Sequence, residues 1–440
     1  MITKLEANGY RLLDQFTADL GKLTVVIGAN ATGKSTLIDC LRCTGDCAEF
    51  PLQQAIEMHG GIFSIPSASS EEMKIKWRIE FHEPVGAKPL TSPPPHKPRL
   101  LTYEVAIEGM RTGEVIPTYE VLRTSEPLDE QYDTPFKYLE VVRSRAMIYD
   151  FRQHNLVPLE EALRLGESAE QPSLPGLQVE QAEEREDAAV AQGEGPSLQL
   201  RQMRFPVHKV FGLASRVRSF LTSIAFYPGF SVGSGSELRT KPAPIRPDTL
   251  LLYDGRNLGT VLHEILTRYN YRESAGLLKD FIRVAYPSFE EISAETAYGA
   301  PPSVLVRVRE KDMRRSMELW DLSDGMLRFL CLAAALLNPL PPPFVAIDEP
   351  ETGLHPRLMP VVADMIKVAS EKMQVMVTTH SPDLLSRFDL DEVAVMARDG
   401  PRSIWRRPAS RAGLRQMLEG VAGESLGDLL RSGELEEVGE

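Results

Sequence analysis

The chain has 440 residues, of which 42% are hydrophobic and 25% charged, so it can bury one large core or two modest ones and has the make-up of an ordinary soluble globular protein. Lys+Arg 49 against Asp+Glu 62 leaves a formal charge of -13, which excludes a basic nucleic-acid coat, although net charge does not say where a local basic surface lies. No apolar run approaches the roughly 20 residues a membrane-spanning helix needs. The longest, Leu327 to Leu337, is broken by Arg328.

In chain order, Met1-Ile-Thr-Lys-Leu-Glu alternates like a strand and lacks the pattern of a secretory signal, so residence in the cytoplasm is expected. Leu23 to Ile27 is a short β-branched run followed by a glycine-containing loop and an apolar-periodic helix from about Lys34, a strand-loop-helix unit. Cys40, Cys43 and Cys47 are spaced i, i+3, i+7 on that helix. With no second cysteine pair and no histidine nearer than His59, they read as one apolar face rather than a metal site. Ile75 to Phe81, Leu101 to Ile107 and Lys137 to Val142 alternate as an antiparallel sheet with one wet face, with a loop at Pro93 to Pro98. The stretch 166–197 is rich in Glu, Gln, Ala, Gly and Pro and reads as an acidic linker. Helical patterning resumes near Leu198, and Leu250 to Ala285 looks mostly α. After Trp320 come a helix from Asp324, a buried strand Phe344 to Ile347, a helix from about Pro356 and a strand Val375 to Thr379.

The expected organisation is therefore α/β: an N-terminal lobe over 1–165 with the loop and the antiparallel sheet, a linker over 166–197, a mainly helical insertion over 198–318, and a C-terminal lobe over 319–440 on a mixed or parallel core sheet. Neither a solenoid-length repeat nor a sustained heptad is visible.

Four motifs carry chemistry. Gly28-Ala29-Asn30-Ala31-Thr32-Gly33-Lys34-Ser35, continued by Thr36, is a full GxxxxGK[ST] phosphate loop. Its glycines let successive N–H groups face phosphate oxygens, while Lys34 neutralises the β/γ-phosphates of ATP and the Ser35 hydroxyl ligates Mg2+. Phe344-Val-Ala-Ile347-Asp348-Glu349 is a strand buried on both faces that ends in two carboxylates. Alternation along a strand suggests separate tasks, Asp348 for the metal shell and Glu349 for deprotonating the attacking water. Thr379-His380-Ser381-Pro382 ends another strand at a helix start, which places His380 where it could sense a γ-phosphate. Leu322-Ser323-Asp324-Gly325 opens an apolar helix, with Ser323 as its N-cap. Standing alone, that turn is merely a capped helix. One nucleotide has no need of two anion-binding surfaces on one subunit, so Ser323 and Gly325 are expected to close on the ATP held by another copy.

In this order the motifs resemble the ABC-type ATPase heads of the SMC, RecF and overcoming-lysogenization-defect group, and most of all the ATP-binding proteins labelled AAA15 and AAA21. The opening Ile2-Thr-Lys-Leu-Glu, the stretch Gly255-Arg-Asn257-Leu258 and Glu349-Pro-Glu-Thr-Gly-Leu-His-Pro356 extend the likeness over most of the chain. The resemblance implies ATP-driven head dimerisation, or a higher homo-oligomer, with two nucleotides at the interface. It also implies that Ser323 acts in trans, that His380 is the switch residue and that Glu351 to His355 is the D-loop. SMC-like relatives place hundreds of coiled-coil residues where this chain has sheet, linker and short helices. A fused nuclease is not expected either, with only sixty residues after His380. The glutamine that transporter ATPases carry between the phosphate loop and the signature has candidates only by proximity, Gln53 and Gln54.

Two functions remain in view. One is an ATPase switch controlling a separately encoded effector, a nuclease or a toxin, in genome maintenance or phage defence. The other is an ATPase gripping duplex DNA through Arg201, Arg204, Lys209, Arg216 and Arg218, or through Arg307, Arg309, Lys311, Arg314 and Arg315, although scattered basic residues usually form a plain solvated face. Coupling to a membrane is not expected.

Overall fold

A computed structural model of the chain describes residues 1–67, 73–83, 99–127, 134–142, 145–150, 155–158, 198–202, 212–240, 242–297, 303–410, 414, 418 and 425–435. The acidic stretch 166–197, the loop 93–98, Arg204 and Lys209 lie outside the described residues.

β-branched and aromatic residues at every second position dictate the first sheet. In Lys74–His82, Ile75, Trp77, Ile79 and Phe81 are buried while the residues between them reach solvent. Eight such strands pair antiparallel in the order Phe16–Asp19, Ile2–Asn8, Lys74–His82, Leu100–Gly109, Val115–Thr124, Lys137–Val142, Arg145–Asp150, Asn155–Pro158. They belong to one compact unit, residues 1–20, 39–223 and 398–404. Within it the helix Gly212–Thr222 lays Phe220 flat on Phe81, with ring centroids 5.5 Å apart.

The second unit, residues 21–38, 224–397 and 405–440, is built on a sheet of different grammar. Leu23–Ile27, Phe344–Asp348 and Gln374–Thr378 are mostly apolar, with Thr24, Gln374 and Thr378 as buried polar exceptions, and are buried throughout apart from Asp348; such runs make parallel strands. The sheet order is Ala225–Tyr227, Phe344–Asp348, Gln374–Thr378, Leu23–Ile27, Val393–Asp399, Arg402–Arg406. The first five strands are mutually parallel. The order puts the strand that leads into the phosphate loop next to Gln374–Thr378 and one strand away from Asp348. The helix Asp324–Leu336 is apolar nearly all round, with Arg328 the only residue of 326–336 not buried, as befits a core helix. Truncating a residue such as its Leu330 to Ala would cost about 2–5 kcal/mol.

The interval expected to be mainly helical carries strands as well as helices. Alongside the helices Leu258–Thr267 and Arg272–Ala285 it holds an antiparallel sheet in which Ser303–Glu310 pairs with Phe289–Ala297, Ala243–Pro244 and Met317–Glu318. Val304, Val306 and Val308 supply the buried face at period two. The hydrogen-bond ladder to Ser303–Glu310 and that apolar stripe outweigh the helix-forming glutamates within Phe289–Ala297.

Candidate functional site

The phosphate loop is held by close backbone packing. Gly28 has φ +149°, and a Cβ there would stand 2.1 Å from the Met396 carbonyl oxygen, so no larger residue fits. Ala31 also takes a left-handed φ of +63°. Thr32 Oγ1 donates to the Ala29 carbonyl at 2.9 Å. Lys34, 6% exposed, donates from Nζ to the carbonyls of Gly28 (2.7 Å) and Ala29 (3.0 Å), which folds the ammonium back over its own loop. Asn30 and Ser35 are exposed and Thr36 is half-buried at the start of the helix Lys34–Glu49.

Parallel pairing brings the second motif to the first. Ser35 Oγ donates to Asp348 Oδ2 at 2.8 Å, and Thr378 Oγ1 donates to Asp348 Oδ1. A hydroxyl and a carboxylate are hard oxygen donors, a set that suits Mg2+, since Mg2+ takes one or two protein oxygens and completes its shell with water and phosphate. No cluster of three His, Cys, Asp or Glu able to hold a metal occurs among the described residues.

Glu349 lies just beyond the strand with φ +48°, a conformation that costs a non-glycine residue about 1–3 kcal/mol and is kept only where the surroundings impose it. Its backbone N–H is bound by Thr378, to O at 3.2 Å and to Oγ1 at 3.1 Å. Thr352 Oγ1 donates to Glu349 Oε2 at 3.2 Å, and His380 Nε2 lies 3.8 Å from Oε1. The Glu349 and His380 side chains are 46% and 36% exposed. The paired carboxylates thus face different neighbours, Asp348 toward Ser35 and Glu349 toward His380.

Ser323 caps its helix by accepting from the Met326 N–H at 3.3 Å and is itself exposed. Gly325 stands 3.5 Å, measured from a built Cβ, from the carbonyl of Gly353. Neither belongs to the hydrogen-bonded set of Ser35, Asp348 and Thr378.

Arg239 was missed in the sequence, and the resemblance named Glu351 only as the first residue of the D-loop segment. Arg239 donates to the carbonyls of Val232 (2.8 Å), Trp320 (2.9 Å) and Leu322 (2.8 Å) and to the Asp324 carboxylate, which pins the turn before Ser323. Glu351 accepts from three groups of the Thr379–Ser381 turn. The stretch around Gly255 has a local role: buried Asn257 bonds the Leu250 carbonyl and the Leu252 N–H. Gln53 bonds Glu57 and the backbone of Gly113 and Val115 in the antiparallel unit, while Gln54 is exposed. Beside Asp348 the neighbouring strand ends instead in Tyr227-Pro228-Gly229-Phe230, which with Arg328, Glu349 and Thr352 lines a cavity of about 180 Å3. No signal short of strand order would have found it.

Most of the basic candidates among the described residues carry partners. Arg307 meets Glu295 and Glu318, Arg309 meets Glu290 and Glu291, Arg216 meets Glu83, and Lys311 donates to the Pro287 carbonyl. Arg201 and Arg218 bond the carbonyls of Glu49 and Ala48, while Arg314 and Arg315 are exposed. Cys40, Cys43 and Cys47 are all buried. No helix among the described residues is long and apolar enough to cross a membrane.

Residues 244–386 match the model of the family described as "AAA domain, putative AbiEii toxin, Type IV TA system". Phosphate import ATP-binding protein PstB 2 of Listeria monocytogenes is 27% identical over 174 residues, 34% of this chain and 60% of that protein. ABC transporter A family member 9 of Arabidopsis thaliana is 33% identical over 116 residues, 24% of this chain and 12% of that protein. The chain thus spans less than two thirds of either relative. Among solved structures, an SMC head bound to the C-terminal winged-helix domain of ScpA covers 92% of this chain and 97% of its own at 12% identity and TM-score 0.48. The SMC head domain of Thermotoga maritima covers 92% and 98% at 15% identity and TM-score 0.40. With its phosphate loop and Asp-Glu strand on one parallel sheet, a family match over residues 244–386 and ATP-binding relatives, the chain is similar to ABC-type ATP-binding proteins.

Proposed function

We propose that the chain hydrolyses ATP with Mg2+, that two heads pair around the nucleotides, and that this pairing switches a separately encoded effector, a nuclease or toxin, in genome maintenance or phage defence. The observation that carries the proposal is the meeting of Ser35 with Asp348 beside Glu349 and His380. Loop N–H groups and Lys34 bind the β- and γ-phosphates, and Ser35 and Asp348 are the residues that would hold Mg2+, which when bound offsets the phosphate charge. Glu349, steadied by Thr352, accepts the proton of the attacking water, and His380 faces the same point. Ser323 and Gly325 of a second copy complete the γ-phosphate shell. Higher homo-oligomers would reuse the same contact.

Two features favour an effector over duplex DNA. Most of the described arginines that phosphates would need already pair with carboxylates or carbonyls. No helix longer than the 16 residues of Lys34–Glu49 occurs among the described residues, so nothing there resembles a tethering arm. The family's toxin-antitoxin description points the same way.

Steady-state ATP hydrolysis by wild type, Lys34→Ala and Glu349→Gln tests the chemistry: both variants should be nearly inactive, and Glu349→Gln turning over at the parent rate would show that the base lies elsewhere. For the biology, the product of a neighbouring gene should co-purify only with ATP present. A turnover rate that rises on adding duplex and falls steeply with salt would favour DNA instead.

A further inference from the structure

We propose that Glu351 is a positioning residue for His380: its carboxylate fixes the turn that sets the His380 ring against Glu349. The inference rests on the roles given above to Glu349 and His380. Glu351 follows Glu349 by two residues and is half-buried. Its Oε1 accepts from Thr379 Oγ1 at 2.7 Å, from His380 N at 2.8 Å and from Ser381 N at 3.1 Å. These are three consecutive residues just past the strand Gln374–Thr378, where the sheet ladder has ended and the chain turns into Pro382–Leu385. Backbone donors leaving a strand need another acceptor, and one carboxylate oxygen serves two of them together with a hydroxyl. Thr379 Oγ1 tightens the turn by accepting from Ser381 N at 2.9 Å.

The bracing runs in both directions. Thr378 holds the Glu349 N–H while Glu351 holds the His380 N–H, so the two ends of neighbouring strands fix each other. A shift of the turn after Glu349 therefore carries the backbone of His380 with it. The other oxygen, Oε2, is shielded from solvent and has no hydrogen-bond partner among the described residues, so the held geometry depends on Oε1 alone. A glutamine keeps an acceptor oxygen for that position, and an alanine does not.

The experiment compares kcat, KM for ATP and thermal unfolding for Glu351→Ala, Glu351→Gln, His380→Ala and the Glu351→Ala/His380→Ala pair. Glu351→Ala should lower kcat by about tenfold or more with KM little changed, and the double variant should fall no further than the worse single, because residues acting through one another are not additive. Glu351→Gln should recover most of the rate. Should Glu351→Ala not fold, Glu351→Asp, which withdraws the oxygen by one methylene, supports the same comparison. Wild-type turnover in Glu351→Ala, or losses that multiply in the double variant, would overturn the proposal. If instead the parent chain hydrolyses no ATP, or Glu349→Gln runs at the parent rate, the reading of the site itself fails.

Discussion

Two histidines of this chain sit among acids, and His59 has both ring nitrogens committed to them while His380 does not. His59 is 4% exposed, with Nδ1 2.6 Å from Asp39 and Nε2 2.8 Å from Asp46; Tyr10 donates to Asp39 at 2.7 Å, and Arg11 pairs with the same carboxylate at 3.0 Å. Burial alone lowers an imidazole, but the two carboxylate hydrogen bonds outweigh it and push His59 up to about 10. Burial likewise works against the Asp39 charge, and the bonds from His59 and Tyr10 overcome it and hold this carboxyl below its ordinary value. His380, by contrast, is exposed and stands 3.8 Å from Glu349, with neither ring nitrogen saturated by acids. Residue types alone do not separate brace from switch. Saturation and burial do: a histidine whose ring nitrogens are both committed can only hold structure, whereas a loosely held one can respond to a ligand.

That contrast can be broken in order of effect. Glu349→Gln should lower turnover by roughly 10²–10⁴-fold, the range of a lost general base, with the unfolding midpoint almost unmoved; a stability loss with activity kept would reverse the assignment. His59→Ala should do the opposite. Removing the cation leaves Asp39 with Arg11 and Tyr10 and Asp46 with Arg42, but takes a hydrogen-bond partner from each, and should cost about 1–3 kcal/mol in denaturant unfolding, with turnover per folded molecule largely retained. The same brace has a pH signature. Because His59 in the folded chain titrates above its ordinary 6.5, its stabilisation is complete below about 6.5 and drains away as pH rises to about 10. The stability difference between wild type and His59→Ala should shrink over that window, and a constant difference would refute the brace. Smallest is Ser323→Ala, which removes the bond to Met326 N and should cost about 1 kcal/mol of stability, yet abolish nucleotide-dependent pairing.

How much of this was legible depended on sequence distance. The phosphate loop and the Asp348–Glu349 strand are contiguous, and their periodicity predicted a buried parallel strand that ends in acid. The antiparallel strands announced themselves by alternation. The same alternation in Ser303–Glu310 was there to see, with Val304, Val306 and Val308 as its signal, but the helices just before it coloured the whole interval as α. The bracing contacts of Glu351 and His59 were not legible: their partners lie 13 to 30 residues away, and nothing local distinguishes a bound carboxylate from a solvated one. Arg239 reaches across 81 to 85 residues to the turn before Ser323, a contact only the fold creates. The edge strand Ala225–Tyr227 is too short to carry a pattern at all.

Sedimentation of the Glu349→Gln variant with and without ATP probes the shared-nucleotide claim most directly. The account predicts a monomer without nucleotide, a species of twice that mass with ATP, and no such species when Ser323 is also changed to Ala. A variant that stays monomeric at saturating ATP, or one that pairs equally well without Ser323, would contradict it.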